Sequence, residues 1–311
     1  MKEQFDFYSK TVLKSYNLDD KMRYQLNMLD NLDVFTRKHC ENVANLTCRI
    51  CEYMHLNKEF TIYCTICAYL HDIGKLFIPP SILQKQGPLT DEEYEVMKTH
   101  TVIGYDMCMK DLKLRPYAVG ARSHHEALNG TGYPDGLTKK NIPLEAQIIR
   151  VADEYDAIVS KRQYKSHIDI SDTLKIIIND SKPNEKLGAL AKLTSDSKLG
   201  KVNPKIVKIL LKVVIDDVEY EISCLYEYIE YLKSQIERLE QIDKYYNKMI
   251  TQKRKSKQEY FAEGIKILLE KNETIENYKD VLYEYMDALK ARQEKIEKLY
   301  DEIKKIKKLK V

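Results

Sequence analysis

With 311 residues the chain has room for one large or two modest domains, and 43% hydrophobic against 32% charged residues supply a core beside a heavily charged surface. Ten Gly and eight Pro are few for that length, which argues against turn-rich sandwiches and barrels and toward helix. The 51 basic and 48 acidic residues nearly cancel to +3, so bulk charge makes no case for a nucleic-acid polymer as partner, and the charged start MKEQFDFYSK with no long apolar run after it predicts a cytoplasmic chain without leader or membrane span.

In chain order, residues 1–34 are polar with scattered apolar positions and predict one or two short helices, an N-terminal extension. Residues 35–214 hold nearly all the His, Gly and Pro and predict one compact helical domain. Within it, Cys48-x-x-Cys51 and Cys64-x-x-Cys67 spell a zinc ribbon, but both pairs sit in apolar helical patterns without the Gly or Pro of a knuckle. They are expected to pack in the core as small hydrophobes, and the odd cysteine total gives no disulfide framework. Thr90-Asp91-Glu92-Glu93 predicts a helix opening on a capping box. Another helix is expected from Pro143, carrying Ile148, Ile149, Ala152 and Ile158. Any strand is limited to a short hairpin near the Gly-rich stretch after His125, and 179–203 reads as a long surface loop.

After Val214 the spacing changes to threes and fours. Ile215, Val218, Ile222, Leu225, Ile229, Leu232, Ile236 and Leu239 form one seam. A polar break at 251–257 follows, then a second seam from Ile275 through Tyr278, Leu282, Tyr285, Leu289, Arg292, Ile296, Leu299, Ile303 and Ile306. Residues 215–311 are therefore predicted as a C-terminal coiled coil or helical hairpin. Such helices must find a partner; a homodimer through the coiled coil is expected, although the break lacks the Gly or Pro that would decide between that and folding back. The lysines near the end (Lys304, Lys305, Lys307, Lys308, Lys310) read as a solvated helix terminus.

The chemistry lies in the histidines. His39, His71, His100, His124 and His125 all fall in the central segment, each in or beside a predicted helix, whereas His55 and His167 read as ordinary residues. His71-Asp72 directly follows an apolar helix, and a carboxylate there can bridge two cations. Imidazoles and carboxylates without thiolates suit Fe, Mn or Zn. Five His with Asp72 and Asp153 are too many for one tetrahedral ion, and two ions about 3.5–4 Å apart would use them all in a site that cleaves phosphoesters. The run His124-His125-Glu126 through Gly130, Gly132, Tyr133, Pro134, Asp135 and Gly136 predicts a tight loop able to approach a ligand closely. Arg162, Tyr164 and Lys165 add groups suited to phosphate oxygens.

These residues resemble the HD-GYP domain, a branch of the HD phosphohydrolases that acts on cyclic dinucleotides. The resemblance runs from Phe35 to Val214. It includes His71-Asp72-x-Gly74-Lys75, Gly87-Pro88-Leu89-Thr90, Met97-Lys98-Thr99-His100, His124-His125-Glu126, Gly132-Tyr133-Pro134-Asp135-Gly136, Ile142-Pro143-Leu144, Val151-Ala152-Asp153, Asp156-Ala157, Arg162-x-Tyr164-Lys165 and Val202-Asn203-Pro204. It implies an all-α, HD-type helical bundle around a binuclear metal site. His39, His71, Asp72, His100, His124, His125 and Asp153 would be the metal ligands, with Asp72 as bridge. Lys75 would face the phosphate, Tyr133 and Pro134 would lie beside the nucleotide, and Arg162 and Lys165 would contact phosphate or guanine. Some members carry a glutamate four residues before the first His and hold a third metal. Phe35 stands there, so two divalent ions are expected, iron or manganese. Asn129 stands where most members have Asp, and it can still cap a turn.

The activity implied is hydrolysis of cyclic di-GMP to linear pGpG by a metal-bridging hydroxide, with Asp72 and Lys75 as the catalytic pair. Three alternatives stay open: a hydrolase of cyclic GMP-AMP, a non-catalytic sensor of cyclic dinucleotides signalling through the coil, and an adaptor whose main business is the coil. The input signal is not legible.

Overall fold

The computed structural model of the protein describes residues 29, 31–162, 169–183 and 199–311, without the side chains of 160–162. The expected helices of 1–28, most of the 179–203 loop, and Tyr164 and Lys165 lie outside the described residues, as does the side chain of Arg162. Among the described residues the fold is all helical; the only pairing of extended backbone is an isolated antiparallel bridge between Asn129 and Thr138, at the Gly-rich loop.

Helix α1 (Val34–Tyr53) starts where Asp33 accepts hydrogen bonds from the Phe35 and Thr36 amides, and buries Cys40, Val43, Ala44, Thr47, Cys48, Ile50 and Cys51 along one face. Helix α2 (Lys58–Leu70) is capped by Asn57, and a 3₁₀ turn over Ile73–Phe77 follows it. Short α3 (Pro80–Leu83) leads to α4 (Asp91–Lys98), which opens on the expected capping box between Thr90 and Glu93. Then come α5 (His100–Lys110), α6 (Ala118–Ser123), α7 (Leu144–Arg162) and α8 (Ile170–Asp180). The main core gathers α1, α2, α7, α8 and the first turns of the long α9 (Pro204–Thr251).

The cysteine pairs pack inward. Cys48, Cys51, Cys64 and Cys67 are buried free thiols, and burial pushes Cys48 up to about 12, so it stays protonated. Among the described residues they join no metal-sized cluster.

Two compact units divide the chain: one runs to Ile215 and also takes in Lys305–Val311, and the other spans Asp216–Lys304. In the second unit α9 continues, followed by α10 (Lys255–Leu268) and α11 (Tyr278–Lys307). Helices α9 and α11 run antiparallel: Lys295 pairs with Glu221 at 2.5 Å, Arg292 lies over the Tyr228 ring, and the Tyr278 hydroxyl donates to Asp243 at 2.7 Å. The seam predicted to need a partner helix thus meets one in its own chain. Ile275 is half exposed and precedes α11, so the second seam starts at Tyr278, which is buried with Leu239, Ile242 and Ile265.

Candidate metal centre

The donors sit at helix ends and on two helix faces. His39 lies in α1 and Asp153 in α7; His71 and Asp72 end α2; His100 begins α5; His124 and His125 follow α6. Gly74 lets the 3₁₀ turn lie against α5, because a Cβ there would stand 2.0 Å from the His100 carbonyl oxygen. That close approach brings Asp72 and His100 together.

Backbone carbonyls fix the imidazoles. His71 Nδ1 faces Ala68 O at 2.6 Å, His100 Nδ1 faces Met97 O at 2.6 Å, and His124 Nδ1 faces Gly120 O and Ala121 O at 3.0 Å. A nitrogen against a carbonyl must be the N–H, so each Nε2 is left as a lone pair turned inward. His39 is held in the same manner by Asp156, whose Oδ2 is 2.6 Å from Nδ1 and whose Oδ1 accepts from Asn42.

Two donor groups result, His39 with His71 and Asp153, and His100 with His124 and His125. Asp72 stands between them. Its Oδ2 is 3.3 Å from His71 Nε2 and 3.7 Å from His39 Nε2, while its Oδ1 is 3.3 Å from His100 Nε2 and 3.9 Å from His124 Nε2. Asp153 reaches His39 Nε2 at 3.0 Å through Oδ1 and His125 Nδ1 at 3.9 Å through Oδ2.

The donor set fits divalent cations. His71 Nε2 and Asp72 Oδ1 are buried without a hydrogen-bond partner, an arrangement that costs free energy unless something positive lies between them. His100 Nε2 and His124 Nε2 face each other at 3.3 Å although both Nδ1 atoms are the donors, which leaves two lone pairs opposed. Burial holds His124 well below its ordinary range and His125 down to about 3, so both are neutral, the form in which an imidazole can ligate a cation. Burial opposes the charge on Asp72, but Lys75 and the histidines keep it ionised, with Lys75 Nζ 2.5 Å from Oδ2. At His39 burial is likewise overcome: Asp153 and Asp156 push it up to about 10, and acceptors that draw a proton will draw a cation. Cys40 borders His71 and Asp72, but burial raises its thiol, so it packs as an apolar neighbour. Phe35 is exposed at the start of α1 and offers no further ligand atom.

A loop roofs the centre. The Tyr133 ring stacks on His125 with centroids 4.7 Å apart, and Lys98 Nζ lies 5.7 Å from the Tyr133 centroid. Pro134 follows Tyr133 through a cis peptide bond. Buried Glu126 accepts the amides of Asp135 and Leu137, both at 2.7 Å, and Asp135 takes a two-pronged bond from Arg122. Asn129 Oδ1 accepts from the Thr131 amide and hydroxyl, so it does cap the turn. All seven predicted ligands are together, with Lys75 and Tyr133 beside them. Asp156 and Glu126 stand in the matched motifs without an assigned role, and Asn42 and Arg150, which donates to His125 O at 2.8 Å, were not singled out from the sequence. Asp156 and Arg150 bond directly to His39 and His125, Asn42 acts through Asp156 and Glu126 through the loop, and only the Asp156 spacing on α7 hints at a role.

The model of the HD domain family matches residues 23–184. A cyclic di-GMP phosphodiesterase of Thermotoga maritima is 44% identical over 45% of this chain and 39% of its own length. The cyclic di-GMP phosphodiesterase response regulator RpfG of Xanthomonas campestris is 41% identical over 42% of this chain and 35% of its own. A 3'3'-cGAMP-specific phosphodiesterase of Vibrio cholerae is 31% identical over 49% of this chain and 35% of its own. The alignments thus cover well under half the length of these relatives.

Proposed function

This chain belongs to the HD domain family, in its HD-GYP branch, and from that premise we propose that it is a metal-dependent phosphodiesterase that opens cyclic di-GMP to linear pGpG. The observation that carries the reading is Asp72, with one oxygen turned toward each of two histidine groups. Two divalent ions, iron or manganese, held by His39, His71 and Asp153 on one side, by His100, His124 and His125 on the other and by Asp72 between, would acidify water and neutralise charge on the phosphoryl oxygens.

The chain's own residues do the rest. Lys75, kept as an ammonium by Asp72, offers a further positive charge to the phosphate. Tyr133 offers a flat face for a base, and the Gly132 backbone lets the loop come close. Arg162 and Lys165 are proposed as phosphate or guanine contacts on the resemblance alone. A cytoplasmic location is supported by buried thiols that remain free; no helix among the described residues is long and apolar enough to cross a membrane. A homodimer is not required to cover the seam, because α9 and α11 pair within one chain.

The test is hydrolysis of cyclic di-GMP by chain loaded with Fe(II) or Mn(II) under reducing conditions, with products separated. Linear pGpG is expected. Binding without turnover in the metal-loaded protein would favour the sensor instead. The cGAMP-specific relative supports cyclic GMP-AMP as a second substrate, and turnover of the two nucleotides side by side ranks them.

A further inference from the structure

The face of α7 that carries Asp153 opens into a second cleft of about 280 Å³, lined by His125, Arg150, Asp153, Glu154, Asp180 and Lys201. His125 and Asp153 belong to both places, so the cleft adjoins the metal centre. Arg150 and Glu154 stand one helical turn apart on α7. Glu154 and Asp180 bring their carboxyl groups together in the cleft, and Asp180 Oδ1 also accepts from Lys201 Nζ at 3.0 Å. Arg150 spends Nη1 on His125 O, and its Nε is buried with no partner.

Charges of both signs in one concavity narrow the ligand. The two carboxyl groups offset the cations of Arg150 and Lys201, so a phosphate gains no net attraction, and an apolar group would strand four polar side chains. A guanine base presents an acceptor, O6, directly beside two donors, the N1–H and the 2-amino group. Arginine is a common reader of guanine O6, and a carboxylate accepts from base N–H groups. Adenine reverses the pattern, setting its amino group against arginine and its N1 lone pair against the acid.

We propose that this cleft is the pocket for one guanine of the substrate, with Arg150 on O6 and the Glu154–Asp180 pair on N1–H and the 2-amino group. The inference rests on the reading of the centre as a cyclic-dinucleotide phosphodiesterase. It gives the chain a preference for cyclic di-GMP over cyclic di-AMP, while cyclic GMP-AMP can still use the pocket through its guanine.

The experiment compares full-length Mn(II)-loaded wild type, Asp180→Asn and Glu154→Gln on cyclic di-GMP and on bis(p-nitrophenyl) phosphate, which has no base. The expected result is a rise of at least tenfold in KM for cyclic di-GMP with kcat within threefold. The ratio of kcat/KM for the two substrates then falls at least tenfold. A purely structural ion network would lower both substrates together, so an unchanged ratio in both variants overturns the pocket alone. If wild type binds the nucleotide without cleaving it, Kd from equilibrium dialysis replaces KM. Wild type that cleaves the base-free ester but neither binds nor cleaves cyclic di-GMP overturns the pocket and the reading beneath it.

Discussion

Asp72 and Lys75 touch each other, yet their removal should have different consequences. Asp72 is fully buried and shared between both histidine groups, so Asp72→Ala should lose metal and activity together. Lys75 reaches the centre only through Asp72 Oδ2, and with cations present the carboxylate keeps its compensation. Lys75→Ala should therefore retain metal and lose roughly 10²-fold in kcat, the scale of one transition-state charge contact. Metal analysis and turnover on the same preparations check both, and an active Asp72→Ala protein would remove the basis of the scheme. At this scale the ligands were legible because seven unusual donors crowd one segment, and a family pattern ordered them. The roles of Asp156 and Glu126 were not, because a carboxylate that orients a histidine or pins a loop has no residue type that separates it from a solvated acid, and only the spacing of Asp156 after Asp153 gave a hint.

At the scale of elements, the loop over the centre depends on one buried acid. Glu126 accepts two amides of the loop with its two oxygens. Glu126→Gln keeps the volume but turns an amide N–H₂ toward a backbone N–H, leaving one donor unsatisfied at a cost of about 1–3 kcal/mol. Hydrogen exchange at the Asp135 or Leu137 amide should accelerate, and KM for cyclic di-GMP should rise more than kcat falls, since Tyr133 sits in the loosened segment. Unchanged exchange at both amides would show that Arg122 and the bridge at Asn129 hold the loop by themselves. Elements with local chemistry were readable in advance: the capping box at Thr90, the helix after Pro143, the short pairing beside the glycines. The approach of the 3₁₀ turn to α5 was not, because a glycine's need for space depends on what packs over it, and for Gly74 that is a helix beginning 26 residues later.

For the whole molecule, seam periodicity fixed that α9 and α11 need partners but not which ones, since antiparallel and parallel pairing use the same spacing. Arg292, the one polar seam position, illustrates the outcome by covering the Tyr228 ring within the chain. The end of α11 goes further. Ile306 is fully buried in the core with Ile206, Val207 and Leu210, Leu309 and Val311 pack against that core, and Lys305 pairs with Asp169 at 2.8 Å. The first unit is thus closed by the last residues of the sequence, and a chain ended at Val214 would expose apolar core. Ile306→Ala should cost about 2–5 kcal/mol, the range for deleting a buried aliphatic side chain. That should lower the melting temperature by roughly 5–15 °C in a unit of this size. Lys308→Ala, on the exposed side of the same turn, should stay within about 0.5 kcal/mol of the parent. If both variants melt with the parent, the terminal segment does not close the core, and the first unit must be complete without it.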